Sequence, residues 1–491
     1  MRILLINPPY WTLTSLLGTG HQIPLGLLMV GGPLLGAGHE VRLLDAERKH
    51  LSIRAVVKEV ERFSPEIVMT GHAGSTSAHP VCVKMLTAIK RACPNVVTVY
   101  GGVYPSFHAE EILCEEAIDV VVRGEGEATS LELVEAIESG RPLHSVQGIA
   151  YRHRRQPILT PSRPPIRNLD AFRIGWELIE HWDDYQCFGL GRAGIIQFSR
   201  GCSHQCTYCG QRDFWVRWRS RSPVKLVDEI EWLYHTHNIR FFSLADENPA
   251  ANKEEWHLFL QEMATRDIPV YFFASIRTTD IVRDVEILHL YRKAGILYIL
   301  LGIESTEPEV LEQIKKGSTT SHDMQAIRLL KQNGIFSIVA HVVGLKNETW
   351  KTFRTAIQQL IHYDGDFVNV THLTPHTWTD LGRQVKDHSI VQHDLSKWDY
   401  RHQVIAQPKL SPLNIFFAVK WLELSLHARP AKLWAILKTR DRFRRRQLLW
   451  STIHIGMVWL GEILLLKSTR PVKKIEAPCS KLQSASGGFE M

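Results

Sequence analysis

The run GIIQFSRGCSHQCTYCGQRDFWVRW, Gly194 to Trp218, sets an apolar strand directly ahead of three cysteines, Cys202, Cys206 and Cys209, crowded into eight residues. Elsewhere the chain uses cysteine sparingly: eight in 491 residues are too few for a disulfide framework. Three thiolates at spacings x3 and x2 converge on one point where the loop curls around it, and soft sulfur ligands select iron–sulfur clusters, zinc or copper. A structural zinc site needs a closed set of four ligands. No fourth Cys or paired His stands nearby in a ligand spacing, and His204 sits too near its neighbours to complete a tetrahedron. A cluster held by three cysteines, with one iron open to a further ligand, fits better. Cys82, Cys93, Cys114, Cys187 and Cys479 are scattered and read as structural thiols.

The strand before the cysteines opens a series. IRFFSLADE (239–247), VYFFASIR (270–277), LYILLGIES (297–305), FSIVAHVVGL (336–345) and FVNVTHLTP (367–375) are each followed by a helix-length stretch. Six such units over 191–380 predict a partial (β/α)6 barrel of parallel strands, whose chemistry sits on the loops at the strand carboxyl ends. Upstream, through residue 140, RILLINP, HEVRLLDAE, EIVMTGH, VVTVYGG and DVVVRGEGE alternate with longer amphipathic segments. That pattern predicts a parallel sheet with helices on both faces, a doubly wound, Rossmann-like α/β domain. Gly, Pro, His or Asp follows each strand, as a ligand crevice at the strand ends requires.

Segment 141–190, rich in Pro and Arg between Arg152 and Phe172, reads as a linker or wrapping segment. Past residue 380 the strands stop. LNIFFAVKWLELSLHA and QLLWSTIHIGMVWLGEILLLK are helical by period, so 381–470 is expected as an α-helical extension and 471–491 as a disordered tail. The second run has the length of a membrane span but carries Ser451, Thr452, His454 and Glu462. It reads instead as an amphipathic helix docked on the barrel or lying on a membrane surface.

Hydrophobic residues at 44% and charged residues at 22% describe a folded chain and exclude a disordered one. Much of the net charge of +7 sits late, in KTRDRFRRR from Lys438 to Arg446, which is either a solvated face or a surface for an anionic membrane or ligand. MRILLINPP runs straight into a strand with no leader pattern, an expectation of the cytoplasm.

The spacing C-x3-C-x2-C with Tyr208 before the last cysteine resembles the signature of the radical S-adenosylmethionine superfamily. The resemblance implies a [4Fe-4S] cluster on Cys202, Cys206 and Cys209. S-adenosylmethionine would chelate the open iron and be cleaved to a 5′-deoxyadenosyl radical. It also implies contacts to S-adenosylmethionine from Asp246 and Glu247, from Arg277, and from Glu304 and Ser305, with no catalytic side chain beyond the cluster-bound cofactor. The first domain is similar to the cobalamin-binding domain of the cobalamin-dependent branch. That likeness implies cobalamin beside Gly71, Ser75, Thr76, Gly101, Gly102, Gly124 and Glu125, where small residues let a flat corrin approach the backbone. The D-x-H-x-x-G motif that supplies a cobalt ligand is absent, so His72 is expected not to ligate cobalt.

Longer runs narrow the family: QIPLGLLMVGGPLLGAGHEVRLLDAE, TGHAGSTSAHP, RIGWELI, the cysteine stretch, IRTTDIVRDVEILHLYRKAGI, TPHTWT and WDYRHQV. Together they resemble the anaerobic magnesium-protoporphyrin IX monomethyl ester oxidative cyclases of bacteriochlorophyll synthesis. The resemblance implies formation of the isocyclic ring from the methylpropionate side chain, with a keto oxygen from water. Expected partners are a magnesium-porphyrin substrate and a flavodoxin- or ferredoxin-type electron donor, with no nucleic acid; the C-terminal helices, by their own pattern, offer a peripheral membrane contact. Phe214 to Arg219, Trp378 and Trp398 offer either an apolar, cation-rimmed slot for the tetrapyrrole or a shield for the cluster. The alternatives are a cobalamin-dependent radical methyltransferase and a non-catalytic cobalamin or iron–sulfur sensor.

Overall fold

The computed structural model describes residues 1–11, 22–154, 156–187 and 189–464; the expected tail over 471–491 lies outside them. In the first domain β1 (Arg2–Asn7), β2 (Glu40–Asp45), β3 (Ile67–Thr70), β4 (Val97–Gly101) and β5 (Val120–Val122) run parallel in the order β2-β1-β3-β4-β5. Every residue of β3 and β5 is buried, which is why these strands read as unbroken apolar runs rather than alternating ones. The chain leaves β1 for β2 on one side and for β3 on the other, so the crevice falls at the carboxyl ends of β1 and β3.

Segment 141–190 is more than a linker. Its β6 (Ile149–His153) and β7 (Gln156–Leu159) extend the first sheet antiparallel beyond β5, and Trp176 and Trp182 are buried in a core continuous with both sheets. β8 (Gln186–Cys187) then pairs antiparallel with β9 (Gly191–Ile196), the first strand of the second sheet. β10 (Ser199–Arg200) and β11 (Arg219–Ser220) pair antiparallel with each other, closing the base of the cysteine loop.

The expected strands follow as β12 (Ile239–Leu244), β13 (Tyr271–Ser275), β14 (Ile296–Glu304), β15 (Phe336–Val343) and β16 (Phe367–His372). With β9 they form six parallel strands in sequential order, a half-barrel with β8 at its edge. Side-chain caps start three of the intervening helices. Asn252 accepts from the Glu255 N–H at 3.0 Å, and Thr349 with Thr352 closes a reciprocal capping box.

After β16 the chain runs through a short helix, Asp380–Gln384, and irregular segments to residue 411, and the described residues close with helices Pro412–His427, Pro430–Lys438 and Arg442–Leu464. The middle helix is an addition to the sequence reading, set off by prolines that favour the first turns of both it and its predecessor. No helix among the described residues is long and apolar enough to cross a membrane.

Candidate functional site

The cysteine loop hangs between β10 and β11, and its base is pinned from two sides. Buried Asp246, at the end of β12, accepts from the Phe198 N–H at 3.0 Å, from the Ser199 N–H, and from the Ser199 hydroxyl at 2.5 Å. Burial pushes its carboxyl up to about 7. Glu247 accepts from the Gly201 N–H at 3.2 Å and from the Trp215 indole at 2.6 Å. Both carboxylates therefore shape the loop from below. Gly201 has a φ of +88°, and a Cβ there would lie 2.4 Å from the Arg217 carbonyl, so the two limbs touch only because this residue is glycine.

The second pin comes from the first domain. Glu125, in the turn after β5, and Glu127, in the first turn of the helix Gly126–Ser139, meet Arg200 of β10 and Arg219 of β11, all four side chains being nearly inaccessible to solvent. Arg219 Nη1 stands 2.7 Å from Glu125 and Arg200 Nη1 stands 3.6 Å from it, while Arg200 Nη2 bonds Glu127. Deleting one member of such a group leaves an uncompensated buried charge, costing about 3–5 kcal/mol. The glutamate turn and the cluster loop are thereby held as one body.

Above the base, Arg277 Nη1 donates to the Cys206 sulfur at 3.6 Å and Nη2 to the Lys316 carbonyl. Lys316 Nζ lies 2.8 Å from Glu304 and 3.5 Å from the Tyr208 hydroxyl. A register shift in β14 at Gly302 and a φ of +59° at Glu304 turn this carboxylate toward the loop. Burial and the Glu304 charge push the Tyr208 hydroxyl well above its ordinary range. Ser305, beside it, accepts from the Glu307 N–H at 3.2 Å. Burial raises the Cys202 and Cys209 thiols, and at Cys209 the neighbouring Cys206 and Cys202 charges add to it. Three soft donors beside one guanidinium fit a cluster with net negative charge. Among the described residues no three His, Cys, Asp or Glu side chains close on a single ion; in a cuboidal cluster each thiolate holds its own iron.

A cavity of about 1110 Å³ opens between the two domains and the C-terminal extension. Gly71, Ser75, Gly101, Gly102, Gly124 and Glu125 line it at the carboxyl ends of the first sheet, and Glu247 lines it from the barrel. Thr76 lies behind that wall, with its hydroxyl 3.0 Å from His376 Nδ1. His72 lines the cavity with both ring nitrogens engaged: Nδ1 accepts from the Gly74 N–H at 2.8 Å, and Nε2 lies 3.0 Å from Glu47. Glycines at the strand ends leave the backbone open to close approach, which fits a flat corrin.

Of the aromatic and cationic run expected as a substrate slot, only Phe214 and Trp215 reach the cavity. Trp218 packs against the core with its indole on the Asn248 carbonyl, and Arg219 is neutralised by Glu125. Trp378 lines the space and donates to the Gly210 carbonyl at 2.8 Å, whereas Trp398 is buried elsewhere, on the Gln392 carbonyl.

The far wall was legible only as the runs FVNVTHLTP, TPHTWT and WDYRHQV, none of whose histidines the sequence singled out. Asp399 holds His402 Nδ1 at 2.9 Å, and both residues line the cavity. His372 and His376 line it as neutral imidazoles, pushed by burial down to about 3 and about 4. Lys420 bridges Glu423 and Glu462 between two C-terminal helices.

Residues 196–360 match the family model of the radical SAM superfamily and residues 15–134 that of the B12 binding domain. Such domains bring a [4Fe-4S] cluster with S-adenosylmethionine, and cobalamin. The fold is shared with a radical S-adenosylmethionine methyltransferase, TsrM from Kitasatospora setae, whose structure holds cobalamin and a [4Fe-4S] cluster. The TM-score is 0.66 over 90% of each chain, at 19% identity. The anaerobic magnesium-protoporphyrin IX monomethyl ester cyclase of Rubrivivax gelatinosus is 34% identical, over 82% of this chain and 72% of that protein. The protein of that name from Synechocystis sp. is 44% identical, over 94% of this chain and 93% of the relative. A match of that depth, running from the glycine wall through the cluster loop into the C-terminal helices, places the chain in the family of anaerobic magnesium-protoporphyrin IX monomethyl ester cyclases.

Proposed function

We propose that this protein closes the isocyclic ring of magnesium-protoporphyrin IX 13-monomethyl ester without dioxygen, by a 5′-deoxyadenosyl radical route, with the keto oxygen taken from water. The observation that carries the reading is the near full-length identity to the Synechocystis cyclase. The cavity supports it. At about 1110 Å³ it exceeds the roughly 300–1,000 Å³ usual for one small ligand, as a site for large flat molecules requires. Electrons come from a flavodoxin- or ferredoxin-type donor, and the protein works in the cytoplasm against a membrane surface.

Cys202, Cys206 and Cys209 hold the cluster, and Arg277 balances its charge beside Cys206. Glu304 and Ser305 border the position of S-adenosylmethionine, while Asp246 and Glu247 set the loop that presents it. Gly71, Ser75, Gly101, Gly102 and Gly124 form the cobalamin wall, Thr76 backs it, and Glu125 ties it to the cluster loop. The bound cofactors supply the radical and electron-transfer chemistry that no side chain can. What the chain itself adds is proton handling. His402, with Nδ1 oriented by Asp399, takes a proton from the water whose oxygen joins the oxidised side-chain carbon.

In His402→Gln, 5′-deoxyadenosine release should stay within about threefold of wild type while ring-closed product falls about 100-fold, both followed by liquid chromatography and mass spectrometry. Product keeping pace with 5′-deoxyadenosine would remove His402 from this role.

The function itself is tested anaerobically with reconstituted cluster, reductant, cobalamin, S-adenosylmethionine and the magnesium monomethyl ester in heavy-oxygen water. The expected outcome is 5′-deoxyadenosine and a ring-closed product carrying the label in its keto group. S-adenosylhomocysteine with a product heavier by one methylene would make the protein a methyltransferase.

A further inference from the structure

More than half of the exposed large hydrophobic side chains among the described residues belong to the three C-terminal helices. They are ordered rather than scattered. Leu413, Phe417, Trp421 and Leu424 recur at spacings of four and three along Pro412–His427, and Ile453, Met457, Leu460 and Leu464 do so along Arg442–Leu464. On the short middle helix Trp434 is 60% exposed and Leu437 56%. Trp350, also exposed, continues the patch beside Trp421, with ring centroids 6.4 Å apart. The first and third helices are packed together, since the Trp459 indole donates to the Lys420 carbonyl at 3.1 Å and Lys420 meets Glu462. Exposed apolar stripes of this kind on packed helices mark a contact with something apolar.

Charge says what that something is. Exposed Lys438, Arg440, Arg442 and Arg446 stand at the junction of the second and third helices, with no carboxylate partner among the described residues. Lys438 Nζ lies 5.0 Å above the Trp434 ring, so cation and aromatic share one edge of the patch. Apolar stripes flanked by unpaired cations and tryptophan are the composition of a helix lying in a lipid headgroup layer. A protein partner would have to match a surface that is apolar and cationic at once, whereas an anionic bilayer offers both complements everywhere.

The other faces of the same helices line the cavity, through Phe416, Val419, Lys420 and Glu423 from the first and Val458 and Glu462 from the third. From this we infer that the helix group docks on an anionic lipid surface and forms the wall through which an apolar tetrapyrrole passes from lipid into the cavity. The docking rests on the exposed face alone; the identity of the passenger rests on the proposed cyclase reading.

The test uses anaerobically purified holoenzyme and sedimenting vesicles of phosphatidylcholine, alone or with about one-third phosphatidylglycerol. Binding should be at least about tenfold tighter to the anionic vesicles and should weaken as salt rises. The combined variant Leu424→Glu, Ile453→Glu and Leu460→Glu, all at solvated positions, should lose that binding. It should turn over detergent-dispersed substrate within about twofold of wild type but vesicle-embedded substrate at least about tenfold more slowly. Arg442→Glu with Arg446→Glu, both at exposed positions, should abolish only the preference for anionic lipid. Equal binding to both vesicles, or none, overturns the proposal. So does a dimer, seen by light scattering, that dissociates in the triple variant, because a second copy would then be the occupant. Sedimentation needs no turnover, so a wrong substrate leaves the docking result readable.

Discussion

Cys206→Ala, purified without oxygen, is expected to be colourless, with iron falling from about four atoms per chain to near zero and turnover below detection. Cys206 is the most enclosed of the three cysteines at 7% exposure, and its sulfur takes the Arg277 N–H at 3.6 Å. Removing it deletes a ligand and leaves a guanidinium facing an apolar methyl. Cys202→Ala and Cys209→Ala should behave alike, because a cluster with one iron reserved for S-adenosylmethionine has no spare protein ligand. The loop base should survive the change. It is held by Asp246 on two backbone N–H groups and by Arg200 on Glu127, not by the metal, so circular dichroism and melting should shift little. Cys93→Ser, remote from the loop, is the control and should keep full iron. Stoichiometric zinc without iron in the wild-type protein, or retained iron in Cys206→Ala, would sink the assignment of these ligands.

The sequence showed the strands of this fold because parallel strands are buried on both faces and end on polar residues, as SLADEN and LLGIES do at β12 and β14. It did not show β6 and β7, whose short antiparallel pairing lies inside a Pro- and Arg-rich stretch with no period of its own. The cysteines were legible because ligand spacing is local. Their supports were not, since Arg200 and Glu127 meet across 73 residues and ion pairs leave no periodic trace. Lys316, which joins Glu304 to Tyr208, carries no motif at all. The family resemblance implies a contact from Asp246 to S-adenosylmethionine; what the sequence did not show is that its carboxylate accepts from two backbone N–H groups of the loop base. Strand-end position locates a residue at the site and is silent about which neighbour takes its charge.

The glycine wall proposed for cobalamin gives the second large effect, and the choice of glycine decides whether the experiment means anything. At Gly102 the backbone φ is +111°, so any side chain there strains the turn, and lost corrin would report strain as readily as blocked space. Gly101 is free of that confusion. Its φ lies outside the left-handed region, and an added Cβ would rest 3.5 Å from the Val122 Cβ, an ordinary contact. Gly101→Ala should therefore fold and bind corrin nearly as wild type does. Gly101→Trp places an indole into the space beside Gly71 and Gly124, and bound corrin per chain, read from its visible spectrum, should fall at least about tenfold, a change near 1.4 kcal/mol or more. Iron content should be unchanged, because the cluster loop is fixed by contacts that do not pass through Gly101. Cleavage of S-adenosylmethionine should continue while ring closure stops, separating the two cofactors' contributions in one protein. Full corrin occupancy in Gly101→Trp would mean that the corrin lies on another wall of the cavity, and the glycines at the ends of β4 and β5 would then owe their small size to packing alone.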